Sequence, residues 1–213
     1  YLLMLIEQME LDGHEVISGN TDGFGTKVRK DRKDEFDKRI AEWERLTGLD
    51  TEETVYIGYY GRDVNNYIAI KPGGKTKTKG YFGGDGISKN PAGQIISEAI
   101  ASQLSGGLDI DSYIRNCTDI RKFVFIRKVE GGCLDQKGNV AGKVIRWYVS
   151  KKEFRPLKYK SNGHVVPNTQ GARVFMDLTA GFPIDLSYEY YIREAKSILS
   201  SWFNKKEQME FMI

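Results

Sequence analysis

The residues best suited to chemistry form a four-residue turn, Asn20-Thr21-Asp22-Gly23, between two short runs of strand formers. An aspartate at the tip of a hairpin offers hard oxygen ligands. Magnesium takes one or two carboxylates together with substrate phosphates. The same four residues also make an ordinary tight turn, because Asn, Asp and Gly suit positive φ or side-chain-to-backbone bonds. A second pattern is Lys75-Thr-Lys77-Thr-Lys79. Side chains alternate along a strand, so these three ammonium groups share one face and repel unless an anion compensates them. Other chemistries are poorly supplied. Cys117 and Cys133 make neither a disulfide framework nor a four-ligand zinc site, and read as free thiols of a reducing compartment. His14 and His164 lie far apart with no acidic or cysteine cluster, which argues against a histidine metal site or a Ser-His-Asp site.

Charge supplies the next clue. The net charge of +3 conceals a segregation: Arg115 to Lys160 holds 13 Lys and Arg against 4 Asp and Glu, and the rest of the chain is net acidic. A second basic stretch runs from Arg62 to Lys79, opposed only by Asp63. Phe123, Phe125, Trp147, Tyr148, Phe154 and Tyr159 interleave with the first stretch. Basic strands with apolar residues between them read as one face on a core and one face on a polyanion. A basic surface with no partner is the competing reading.

Behind these residues, 213 positions with 40% hydrophobic and 29% charged side chains suffice for one large domain or two small ones. No stretch approaches the ~18 apolar residues of a membrane helix, so no membrane contact is expected. Tyr1 to Met9 carries no basic leader and no cleavage site, so no signal peptide is expected, and the missing initial Met suggests a piece of something longer. The periodicity predicts a helix over Leu2 to Leu11 and a hairpin of Glu15 to Gly19 with Phe24 to Val28. A helix follows with Phe36, Ile40, Trp43 and Leu46 on one face, ended by Gly48. Strands are predicted at Thr54 to Tyr60, Tyr67 to Ile70 and Lys75 to Lys79, then a Gly-rich connector from Gly80 to Gly86. Asn90-Pro91 reads as a helix start, and Ile110 to Ile114 as a short helix. Lys122 to Val129 and Val144 to Ser150 pair across a Gly-rich loop, Gly131 to Gly142. Tyr188 to Phe203 closes the chain as an amphipathic helix, and the apolar tail Glu207 to Ile213 reads as core packing. The fold class is α+β, with a break between Gly80 and Asn90.

In this order the motifs resemble family B DNA polymerases. Glu15-Val-Ile-Ser-Gly-Asn-Thr-Asp-Gly-Phe24 after an apolar helix is similar to the third palm motif, usually Tyr-x-Asp-Thr-Asp-Ser. Arg62-Asp-Val-Asn-Asn-Tyr-Ile-Ala-Ile70 stands where the family has Lys-Lys-Arg-Tyr, and Lys77-Thr-Lys-Gly80 resembles its Lys-x-Lys-Gly element. Lys89 to Ala99 looks like the helix that opens the thumb. Gly142 to Tyr148, Val166-Pro-Asn168 and Phe182-Pro-Ile-Asp185 look like the C-terminal region of phage-type members. Two positions depart: Asn20 replaces the first motif Asp and Gly23 the final Ser.

The resemblance implies a palm-like antiparallel sheet with helices over 1–86 and a mixed α/β thumb over 87–213. It implies Asp22 as a catalytic metal ligand, with Thr21 assisting through its carbonyl, and Mg2+ or Mn2+ as cofactor. The reaction would be attack of a primer 3′-hydroxyl on a dNTP α-phosphate. Arg62, Asn65, Asn66, Tyr67, Lys75, Lys77 and Lys79 would lie along primer-template DNA, as would the thumb cations Arg127, Lys128, Arg146, Lys151 and Lys152. The second carboxylate would come from an N-terminal remainder of the polymerase, so the fragment alone is expected to polymerise nothing. A cytoplasmic setting, the host's if phage-encoded, follows. The alternatives are a non-catalytic duplex-binding module and an accessory subunit of a split polymerase.

Overall fold

The computed structural model describes residues 1–83, 93–152 and 155–203, apart from the side chains of Tyr81, Trp202 and Phe203. The fold is α+β, with five α-helices and three antiparallel sheets among the described residues. The expected Asn90-Pro91 helix start, Phe154 and the 207–213 tail lie outside them. No described helix is long and apolar enough to cross a membrane.

Helix α1 (Leu2–Leu11), strands β1 (Glu15–Gly19) and β2 (Phe24–Lys27) and helix α2 (Lys33–Thr47) form the first unit. Leu5 and Met9 of α1 meet Phe36 and Trp43 of α2 in one apolar cluster, which Val16, Phe24 and Ile40 extend. The predicted stripe on α2 is observed through Trp43, whereas Leu46 is exposed beyond the edge of that core. The Trp43 indole N–H donates to the Tyr1 carbonyl at 3.2 Å. The Arg39 guanidinium grips the Asp12 carboxylate through Nε and Nη2, at 2.6 and 3.0 Å, and holds its pKa down chiefly through that bond. His14 is buried edge-on against Phe36 at 5.7 Å, so it is a core residue here.

The second sheet has the order β3 (Gly58–Asp63), β4 (Asn66–Ile70), β5 (Thr76–Lys79). Strand β3 begins later than its β-branched composition predicts, and 51–57 takes no regular structure. Pairing decides this: Tyr59 opposes Ala69 and Gly61 opposes Tyr67, so the hairpin register carries the strand on to Asp63. Ile68 is buried with Phe82 in the same cluster as residues of the three C-terminal helices. Gly80 follows β5 at a φ of +65°, and a Cβ there would lie 2.1 Å from the Asn65 carbonyl oxygen. Only glycine lets the chain pass this turn.

Helices α3 (Gln94–Leu104), α4 (Ile110–Asn116) and α5 (Tyr188–Phe203) enclose the largest core, with Ile95, Ile100, Ile114, Phe123, Tyr148 and Tyr191 inside. Asp109 caps α4 by accepting from Ser112 N–H at 3.0 Å. Tyr191 joins the two chain segments that enter and leave the last sheet. Its buried hydroxyl donates to the Phe123 carbonyl at 2.8 Å and accepts the Val149 N–H at 3.0 Å. Tyr191→Phe strands both backbone groups, so urea denaturation should show a loss of about 2–3 kcal/mol at unchanged slope.

The last sheet has the order β8-β6-β7-β9, formed by β6 (Phe125–Leu134), β7 (Val140–Val149), β8 (Lys158–Tyr159) and β9 (Ala172–Val174). Here the expected glycine-rich loop is instead strand. Gly131 and Gly132 lie inside β6 at φ of +75° and +90°. Between Lys128↔Val144 and Cys133↔Gly142, β6 has extra residues. Beyond this bulge β6 pairs on both edges at once, Cys133 with Gly142 of β7 and with Tyr159 of β8. Only Asp135 to Asn139 turns, with the Asp135 carboxylate accepting N–H groups of Lys137 and Asn139, both at 2.8 Å. Val129, Cys133, Ile145, Trp147, Leu157, Val166 and Ala172 fill the interior.

Candidate nucleic-acid interface

The hairpin tip is built by Asn20. Its Oδ1 accepts the N–H groups of Asp22 and Gly23, both at 2.9 Å, and its own N–H reaches the Gly23 carbonyl. Asn20 thus has a structural reason to be present, whereas position 23 lacks a positive φ and has open space where a Cβ would stand. Thr21 and Asp22 are exposed, and the Asp22 carboxylate has no hydrogen-bond or ion-pair partner among the described residues. No group of three or more His, Cys, Asp or Glu side chains that could hold a metal ion occurs among them either. One exposed carboxylate is therefore available as a single metal ligand and no more.

The second candidate surface is one face of the β3–β5 sheet, where burial pushes the Tyr59 phenol up. On that face Tyr59 stacks on Tyr67, ring centroids 5.1 Å apart, and Tyr67 opposes Lys79 while Ala69 opposes Lys77. Lys77 and Lys79 are exposed and side by side, as alternation predicts; Lys75 lies just before the strand. The neighbouring Tyr56 hydroxyl raises the Lys77 pKa and so favours its charged form. Arg62, Asn65 and Asn66 serve the neighbouring turn. Arg62 pairs with Asp63 at 3.2 Å, the Asn65 N–H donates to that carboxylate at 3.0 Å, and the Asn66 amide donates to it at 2.7 Å. These bonds, led by Asn66, hold the Asp63 pKa down.

The second group of expected residues lies on the β6–β9 sheet. Register puts Lys128, Arg146 and Arg173 on one face: Lys128 opposes Val144, Ile126 opposes Arg146, and Tyr148 opposes Arg173. Arg127 is on the other face, and its Nη1 donates to the Pro167 carbonyl at 2.7 Å. Lys151 and Lys152 follow β7 and are exposed; the Lys151 ammonium sits 5.9 Å from the Tyr188 ring centroid. Of the interleaved aromatics, Phe123, Trp147 and Tyr148 are buried and Phe125 and Tyr159 half-buried.

Ion pairing is denser among the helical cations: Arg29, Arg32, Lys33, Arg39, Arg115, Arg121 and Lys122 each pair with a carboxylate, although Lys30, Lys38, Arg45 and Lys196 do not among the described residues. On the β6–β9 sheet and its connections, Lys128, Lys137, Lys143, Arg146, Lys151, Lys152, Lys158 and Lys160 have no ion pair among the described residues. Arg173 is the exception, bound to Asp185. Sequence reasoning missed Tyr59, Tyr56 and Arg173. The register of β3 on β4 could have found Tyr59, whereas Arg173 stands on a three-residue strand with no local signal. Comparison with protein-family models and with curated proteins finds no match.

Proposed function

We propose that this chain is a nucleic-acid-binding part of a DNA-synthesising enzyme, the portion that resembles the back of the palm and the thumb of a phage-type family B polymerase. The observation that carries the reading is the concentration of exposed cations without an ion pair among the described residues on the β6–β9 sheet and its connections. Phosphates are the compensating charge such a surface fits, and duplex DNA offers them at regular spacing. The face carrying Tyr67, Lys77 and Lys79 would meet the same duplex nearer the primer end. Amide and ammonium donors there suit minor-groove acceptors, which vary little with sequence.

Asp22 fits one position of a shared magnesium site: it is exposed, unpartnered and a hard oxygen donor. Magnesium bound there would supply charge neutralisation at a dNTP triphosphate. The chain's own residues would present a carboxylate from a fixed turn and hold the primer-template by its phosphates. The second carboxylate would come from the N-terminal remainder of the polymerase. Primer extension by the 213-residue chain alone is expected to be undetectable, and measurable dNTP incorporation would refute this division of labour.

A second reading has its own support. The Asn20 bonds account for the tip as a turn, which suits a duplex-binding module without catalysis. Thermal melts with and without magnesium or manganese separate the two. The polymerase reading expects a metal-dependent rise in Tm that Asp22→Ala removes. The module reading expects no metal effect, while binding of a mixed-sequence DNA duplex persists.

A further inference from the structure

Ile184 is 98% exposed, more than any other large hydrophobic side chain among the described residues, yet Asp185 and Leu186 beside it are 7% and 1% exposed. The backbone that carries it is pinned. Lys151 N–H donates to the Asp185 carbonyl at 2.7 Å, and Ser187 N–H to the Val149 carbonyl at 2.9 Å. Ser150 and Leu186 form an antiparallel bridge. The Asp185 carboxylate is held from below by Tyr148, Ser150 and Arg173. Solitary exposed apolar residues are common on protein surfaces; the setting of this one is not. Ile184 occupies a turn in which the Leu186 N–H reaches back to the Pro183 carbonyl, and the nearby Lys151, bonded through its N–H to Asp185, and Lys152 are both exposed and without an ion pair among the described residues. Arg173, one bond away through Asp185, connects this tip with the face that carries Arg146 and Lys128.

We infer that the tip formed by Ile184 enters the minor groove of a bound nucleic-acid duplex, with Ile184 against sugar and base edges and Lys151 and Lys152 on the flanking phosphates. The inference rests on the duplex-binding reading above and adds an apolar contact to it. Minor-groove proteins place Ile, Leu, Phe or Pro between cations in this way, and a tip held by its own hydrogen bonds loses little entropy on docking. Apolar burial releases no counterions, so the contact should contribute equally at every salt concentration.

The test is fluorescence anisotropy with a labelled mixed-sequence DNA duplex across a salt series, for the full chain and for Ile184→Ser, Ile184→Leu and Lys152→Gln. Ile184→Ser should weaken binding about tenfold at every salt concentration, with the log-log slope and the Tm unchanged. Ile184→Leu should restore most of the loss, whereas Lys152→Gln should lower the slope by about 0.9. If Ile184→Ser binds like the parent while the parent shows a steep salt slope, the tip assignment falls and duplex binding stands. If the parent does not bind duplex at all, both fall.

Discussion

Asp185→Ala is expected to cost about 3–5 kcal/mol of folding stability, the range for removing one partner of a buried charged network. The carboxylate is nearly inaccessible and accepts from Tyr148 Oη and Ser150 Oγ, each at 2.8 Å, and from the Arg173 guanidinium. Without it, a buried phenol and a buried hydroxyl lose their acceptor, and Arg173, itself about half exposed, falls back on water. Asp185→Asn keeps the shape but offers one acceptor oxygen where two are used, and should fall between the parent and the alanine variant. Urea titrations at neutral pH measure all three.

The same carboxylate predicts an acid transition. Burial pushes its pKa up, but the bonds from Tyr148, Ser150 and Arg173 outweigh burial and leave it below the ordinary aspartate value. A folded-state pKa under the unfolded value of about 3.9 means that the contribution is fully present above that pH. It is lost as pH falls through the folded pKa. Parent and Asp185→Asn should therefore keep their full difference in stability above about pH 4 and converge as pH falls below it through the folded pKa. A constant gap across that window would show that the carboxylate acts through shape alone.

Local patterns wrote most of the first half of the fold. The helix over Leu2–Leu11, the Asn20–Gly23 hairpin and the Phe36–Trp43 stripe are set by neighbours within a few residues, and sequence spacing exposes them. Strand β3 and the bulge in β6 were not legible, because each answers to a distant partner. Gly58 and Gly61 look like strand breakers, yet a Cβ on Gly61 would lie 2.9 Å from the Tyr59 ring that stacks on Tyr67. Gly131 and Gly132 look like loop, yet they form a bulge within β6, after which Cys133 and Leu134 pair with β7 and β8 together. The basic composition of the interface was plain in the sequence. Which cations lack a carboxylate was not, since pairs such as Arg39–Asp12 and Arg115–Glu189 join residues far apart in the chain. The same limit hid Ile184, whose exposure depends on what Asp185 and Leu186 bury beside it.

If the unpaired cations meet phosphates, a triple variant Lys128→Gln, Lys151→Gln, Lys152→Gln should lose about 2.7 units of salt slope, roughly 0.9 per contact. Extrapolated to 0.1 M salt, that is about 2.7 decades of affinity for duplex DNA. The loss cannot come from unfolding. All three side chains are exposed and none has an ion pair among the described residues; Lys151 approaches the Tyr188 ring at 5.9 Å and lies near enough to Glu189, whose pKa is held down chiefly by its bond from Arg115, to lower it slightly further. Stability should therefore stay within about 0.5 kcal/mol of the parent. A matched triple variant of paired cations, Arg29→Gln, Arg32→Gln, Arg39→Gln, removes the same formal charge from the helical unit. It should cost stability through Asp12 and Glu35 while leaving the salt slope nearly unchanged. Net charge alone would make the two triples equivalent in binding, whereas a phosphate-bearing face makes them differ by orders of magnitude. Equal slopes for both would assign the attraction to the whole molecule's field and remove the β6–β9 sheet from the interface.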